Sequence, residues 1–189
     1  MFANLLLDSS IPALTLDDTV ERVLSIMHTN SLQRIPIIDL ENRYLGIIQE
    51  EDLLDIDESS QVLASFVHNT LPINFNEHLL NILRNENFIK DGSIVVVDHD
   101  FQYIGVVTSR SVIDFIGRDR SIEMIGGILV LEIKSIHYSM SEIARIVESN
   151  NANIIHSCIS NSTNVENMLI TVKIDKLDLK EIISTFERY

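Results

Sequence analysis

Ile35-Pro36-Ile37-Ile38-Asp39, followed after six residues by Gly46-Ile47-Ile48, decides the fold because it is written twice. Ile94-Val95-Val96-Val97-Asp98, again six residues, and Gly105-Val106-Val107 repeat it at a constant spacing of 59 residues. Each copy reads as two short strands around a turn, with an amphipathic helix before it and another after it. The repeated unit is therefore a whole supersecondary element. Two such units enclose a cleft, and the cleft is the place to look for function.

Working outward, Asp18 is placed to cap a helix and Glu21 to close a capping box over it. Val20, Val23, Leu24 and Met27 follow on one helical face. Ile35 to Ile38 is a buried strand, Asp39 to Asn42 its turn and Tyr44 to Ile48 its hairpin partner. A second helix is expected from about Glu51 to Ile56, with Glu50, Glu51 and Asp52 at its positive end. In the second unit Leu71-Pro72 answers Ile11-Pro12, and Leu79, Ile82 and Leu83 give a weaker stripe. The hairpin runs through Asp98-His99-Asp100, and a helix is expected from about Arg110 to Ile116. The spacing is 60 at the prolines and 59 at the strands, so one residue is lost between them, expected near Asp91-Gly92.

Beyond Ile116 the repeat stops. Residues 117–127 read as a linker ending in Gly126-Gly127. A third pattern then begins: a strand from Ile128 to Ile133, a helix from Ser141 to Ser149 and a strand from Ala152 to Ser160. A turn from Asn161 to Asn164, a strand from Glu166 to Ile174 and a helix from Leu179 to Arg188 complete it. This βαββα order predicts an antiparallel sheet with helices on one face. The fold class is α+β.

Composition bounds the function. The 189 residues are 46% apolar and 22% charged, as in ordinary soluble domains. Net charge is −14, from 28 acids against 14 Lys and Arg. A nucleic-acid partner needs a basic surface and is not expected. Leu5-Leu6-Leu7 is interrupted by Asp8 and has no basic region before it, so no signal peptide is expected. The apolar runs fall short of the roughly 18 residues that span a membrane. The lone Cys158 suits a reducing cytoplasm and has no metal-ligand spacing around it. Six scattered His residues offer no metal site, and the acids from Glu50 to Glu58 read as a solvated helix face. No phosphate loop, nucleophile elbow or Cys/His constellation is present, so no enzymatic activity is expected.

Residues 11–116 resemble a pair of cystathionine-β-synthase (CBS) domains, the tandem called a Bateman module. The resemblance rests on Asp18-Thr19-Val20, Arg34 to Asp39, Gly46-Ile47-Ile48 with Asp52, Val95 to Asp98, and Gly105 to Thr108. Residues 128–189 are similar to an ACT domain through Ser141-Glu142-Ile143 and Asn153-Ile154. The order resembles the bacterial acetoin-utilisation type of CBS protein. The reading therefore gives a CBS pair over 1–116, with repeats at about 11–56 and 71–116, a linker, and an ACT-like domain over 128–189. The ACT pattern closes on a further strand after its second helix, whereas this sequence stops at Tyr189: either the domain is abbreviated or the chain is cut before that strand, and the sheet edge then needs cover.

The resemblance implies a regulatory module that binds an adenine nucleotide (AMP, ADP or ATP) in clefts between the repeats and holds no other cofactor. In the family a Thr or Ser after the glycine strand and an Asp three residues later reach the ribose hydroxyls. A carboxylate accepts from two vicinal hydroxyls, and a helix N-terminus favours phosphate. Each copy keeps half of this. Gln49 replaces the Thr and Asp52 is retained in the first, whereas Thr108 is retained and Ser111 replaces the Asp in the second. Arg34 is placed to reach a phosphate, with Ile35 and Ile94 at the matching strand starts. The competing reading is a structural or protein-interaction module whose nucleotide sites have degenerated. Thr108 would then be a plain helix cap and Asp52 a first-turn acid. A homodimer is expected, with the ACT-like domain serving assembly. The loop from Lys134 to Met140 lacks the glycine that lets backbone amides approach an amino-acid ligand, so no amino-acid effector is expected.

Overall fold

The computed structural model describes residues 1–54, 56 and 63–188. Two units emerge, Met1–Phe115 and Ile116–Tyr189.

In the first unit each repeat builds one three-stranded sheet: β1 (Leu14–Thr15), β2 (Arg34–Ile38) and β3 (Tyr44–Gln49), then β4 (Ile73–Asn74), β5 (Ser93–Val97) and β6 (Tyr103–Thr108). β1 runs parallel to β2 and β3 antiparallel to it, and the second sheet repeats the arrangement. Pro36 is tolerated in a middle strand because β1 pairs only with Ile37 and Ile38, so the missing N–H faces no partner on that side. The turns match closely. Asp39 Oδ1 accepts from the N–H groups of Glu41 and Arg43, and Asp98 Oδ1 from those of Asp100 and Gln102. Asn42 and Phe101, 59 residues apart, both take positive φ, 64° and 60°.

Helix α1 (Val20–Asn30) buries Val20, Val23 and Met27, as the stripe predicts. Its cap is Thr19, one residue later than expected: Thr19 accepts from Arg22 N–H, while Asp18 accepts from Thr15 N–H and pairs with Arg22. The equivalent stretch of the second repeat is broken into α2 (Leu79–Ile82) and α3 (Glu86–Asp91), where Asn85 restarts the helix by capping Asn87 and Phe88. The lost residue does not lie near Asp91-Gly92. β1 and β4 are already 59 apart, so the loss falls between the prolines and these strands, Ala13 having no counterpart. The second correction concerns Glu51 to Ile56. Among the described residues this stretch forms a 3-10 turn at Glu50–Asp52, not an α-helix. Crowded like charges at helical spacing disfavour propagation. Asp55, Asp57 and Glu58 lie outside the described residues. After β6, α4 (Ser109–Gly117) forms as expected.

The cores interlock in a way the repeat boundaries did not suggest. The N-terminal segment packs on the second repeat: Ala3 and Leu6 sit with Leu79, Ile82, Phe88, Val96 and Val107. The segment after the first repeat packs back on it, placing Leu63 with Leu14, Met27, Ile35 and Ile48.

In the second unit β7 (Gly127–Lys134), β8 (Ile154–Asn161) and β9 (Asn167–Ile174) form an antiparallel sheet in the order β7-β9-β8. Helices α6 (Met140–Ser149) and α7 (Lys180–Phe186) supply Ile143, Val147 and Ile182 to a core with Ile170, Val172 and Ile174. Ser139 caps α6 by accepting from Glu142 N–H. The stretch expected as a linker is partly structured: Asp119 caps a helical turn, α5 (Arg120–Glu123), and Lys173 Nζ donates to the carbonyls of Ser121 and Ile122.

Candidate functional site

The repeats meet about an internal two-fold. Arg43 and Gln102 form an antiparallel bridge. Around it, Tyr44 N–H donates to Phe101 O at 3.2 Å and Tyr103 N–H to Asn42 O at 2.8 Å. Every member of these two bonds is 59 residues from its counterpart, so the symmetry of the sequence is a symmetry of the seam. Ile47, Val95 and Val97 seal the seam beneath.

Each glycine of the repeated motif faces a segment arriving from elsewhere. Gly46 lies against His68, whose N–H and carbonyl pair with Ile47 at 2.7 and 3.0 Å. Leu7 likewise bridges to Val107 and touches Gly105. These two crossing segments carry polar side chains to the motif positions. His68 Nε2 lies 2.7 Å from Asp52 Oδ2. Thr108 Oγ1 donates to Asp8 Oδ2 at 2.8 Å.

Asp8 thus brings a carboxylate to the copy in which Ser111 replaces the motif aspartate. Burial by itself would raise its pKa. Bonds from the Ser10 hydroxyl and amide and from Thr108, with the Arg110 charge, outweigh burial and hold it below the ordinary value. Thr108 also caps α4: its Oγ1 accepts from Ser111 N–H, while Ser111 Oγ accepts from Thr108 N–H and donates to Thr108 O.

Arg34 and Gln49 come together. With Gln33, Glu50, Glu51, Leu54, Lys90 and Asp91 they line a cavity of about 350 Å³, at the small end of ligand sites. Asp52 does not line it. Arg34 is paired with Asp91 of the second repeat, the two side chains being 22% and 9% exposed. The acids Glu50, Glu51 and Asp91 outnumber the cations around this space, so a phosphate entering it must displace Asp91 from Arg34. Ile94 lines a second space, of about 40 Å³, between the repeats. That is room for water at most and too small for a nucleoside. The Ile35 side chain is 0% exposed and belongs to the core, not to either space.

Asp8, His68 and Asp91 escaped the sequence reading. The usable signal for the first two was a continuation of the repeat upstream of its prolines, where Ala3 and Leu6 correspond to Leu63 and Phe66. It is four residues of small or mixed character. Among the described residues no group of three or more His, Cys, Asp or Glu is placed to hold a metal ion, and no helix is long and apolar enough to cross a membrane.

The model of the CBS domain family matches residues 6–59. No curated protein matches the chain. Among solved structures, a CBS domain pair/ACT domain protein from Thermotoga maritima has a TM-score of 0.54 at 20% identity, covering 61% of this chain and 96% of that one. The CBS domains of a transcriptional regulator from Streptococcus pneumoniae give 0.52 at 21%, covering 60% and 98%. A protein from Methanocaldococcus jannaschii gives 0.54 at 22%, and the match spans 62% of this chain and 60% of that protein. Residues 6–59 thus match the CBS domain family, and the chain shares the fold of CBS domain pairs.

Proposed function

We propose that this chain is a non-enzymatic, cytoplasmic regulatory module whose CBS pair senses an adenine nucleotide and whose second, ACT-like unit serves assembly of a homodimer. CBS domain pairs are commonly regulatory modules that bind adenine nucleotides. The observation that carries the reading is the cavity lined by Arg34 and Gln49, beside Asp52, in a two-fold pair of CBS-type repeats. The ligand reaches the Arg34 guanidinium with its phosphate, displacing Asp91. Asp52, whose side chain is 24% exposed, turns from His68 to the ribose hydroxyls. Thr108 and Ser111, with Asp8, make the weaker counterpart, because Thr108 is committed as a cap and its hydroxyl already has an acceptor.

The second reading, a structural module without a ligand, is favoured by one specific observation: Arg34, Asp52, Thr108 and Ser111 all have partners within the chain. A thermal-shift panel with AMP, ADP and ATP separates the two. A nucleotide at 100 times its Kd stabilises by about 2.7 kcal/mol. Asp52→Ala should weaken it about ten- to 150-fold, the worth of one charge-assisted bond. No shift with any of the three at millimolar concentration establishes the ligand-free reading. Tight binding indifferent to Asp52→Ala would move the site elsewhere.

A further inference from the structure

Arg34 and Asp91 tie the two repeats together, and the internal two-fold shows that the fold does not require the tie. Their counterparts in the other repeat are Ser93 and Leu32, and Leu32 is packed in an apolar cluster with Ile11 and Val106. The charged pair therefore belongs to one cleft alone. Asp91 is the last residue of α3, at the negative end of the helix, where a carboxylate is disfavoured. Arg34 offsets this: its Nη1 donates to Asp91 Oδ2, which leaves the guanidinium with donors for one further anionic group. The other charges lining the cavity of about 350 Å³ are Lys90 against Glu50 and Glu51, so its acids outnumber its cations.

We infer that the carboxylates of this cavity, Asp91 foremost, set the charge of the ligand: the site takes a nucleotide with a single phosphate and rejects those with a chain of phosphates. This rests on the nucleotide reading above and narrows its ligand class. One phosphate is met by the donors of Arg34. Asp91, moved off Nη1, stays tethered to the end of α3 and still faces the same space. A second or third phosphate then finds only Lys90, which is exposed, against Glu50, Glu51 and the displaced Asp91. One like charge about 8 Å away weakens binding about two- to thirty-fold, from a watery to a half-buried setting.

Titration calorimetry of the full chain with AMP, ADP and ATP tests this, without divalent cations so that the phosphates keep their charge. Affinity should fall in that order, ATP binding at least about ten-fold more weakly than AMP. Asp91→Asn should narrow the spread by gaining most for ATP. Because that change also alters the partner of Arg34, Glu51→Gln, at an exposed position on the same cavity, is the second variant. It should narrow the spread while leaving the Arg34–Asp91 pair in place, with circular dichroism confirming the fold of each. An affinity that is level or rises toward ATP overturns the inference and leaves the nucleotide reading standing. So does a falling series whose spread neither folded variant narrows. No binding of any of the three at millimolar concentration overturns the nucleotide reading and this inference with it.

Discussion

Tyr44 and Tyr103 stand at the same place in the two repeats, yet only one of their hydroxyls has a partner. Tyr44 Oη lies 2.6 Å from Thr70 Oγ1. Tyr103 Oη is buried with no hydrogen-bond partner among the described residues. The cause is the segment that leads into each repeat. Upstream of Pro72 it offers Thr70, whereas the corresponding residue upstream of Pro12 is Ser10, whose hydroxyl is engaged by Asp8 and Asn30, and the next residue, Ile11, packs in the cluster that holds Tyr103. Burial raises both phenols, that of Tyr103 to about 12, and the Thr70 bond partly offsets the rise at Tyr44. The two repeats hold the same backbone ladder and turns while their polar complements have diverged. Sheet register needs only alternation and a glycine in place, whereas a hydrogen bond needs one particular residue from a distant segment.

The comparison breaks hardest at the motif glycines. Gly46 has a φ of +153°, and a Cβ there would lie 2.6 Å from both His68 O and Val67 Cγ1. Backbone oxygen cannot give way, so Gly46→Ala should cost about 3 kcal/mol, combining overpacking with a disfavoured dihedral. Gly105 has no such φ, and its Cβ would meet the mobile end of Leu7 at 3.1 Å. Gly105→Ala should cost less than about 1.5 kcal/mol. Urea denaturation of both variants checks the ordering. Equal costs would mean that the crossing segments bind the two repeats alike.

A smaller effect sharpens the tyrosine contrast. Tyr44→Phe should cost about 1 kcal/mol by removing a made hydrogen bond and leaving Thr70 unpaired. Tyr103→Phe removes a buried hydroxyl that has no partner, and should be neutral or stabilising by up to about 1 kcal/mol. A loss at Tyr103 as large as that at Tyr44 would show that its hydroxyl is satisfied in solution.

The hairpins, their turns and the βαββα order of the second unit were legible because they rest on alternation and on turn residues within a few positions. The cap at Thr19 was missed by one residue because Asp18 and Thr19 are both good caps, and Asp18 is drawn to Thr15 and Arg22. The break in the second repeat's helix was hidden by its apolar spacing, although Asn85 was there to restart it. Of the candidate site, Arg34 and Gln49 share a cavity, but the groups that confront the motif residues, Asp8, His68 and Asp91, come from 16 to 100 residues away. No local periodicity carries such pairings, because the exchange of leading segments between repeats is a property of the assembled pair.

The smallest expected effect is on the acid limb of stability, and it distinguishes the crossing segment of the second repeat. Asp8 is held below its ordinary value of 3.8 in the folded chain by Ser10, Thr108 and Arg110 acting against burial. The unfolded chain therefore binds the proton more readily, and stability rises with pH across the window between the two values. The contribution of Asp8 is complete above the ordinary carboxylate value and is lost as pH falls through the depressed one. Asp8→Asn keeps an acceptor for the Thr108 hydroxyl and removes only the charge. Its stability relative to the parent should then be lowest near neutrality and converge on the parent as pH falls through the depressed value, read from urea midpoints across the acid range up to neutrality. A constant difference across that range would mean that the Asp8 charge does no more than its shape, and that the second repeat holds its leading segment through Ala3, Leu6 and Leu7 alone.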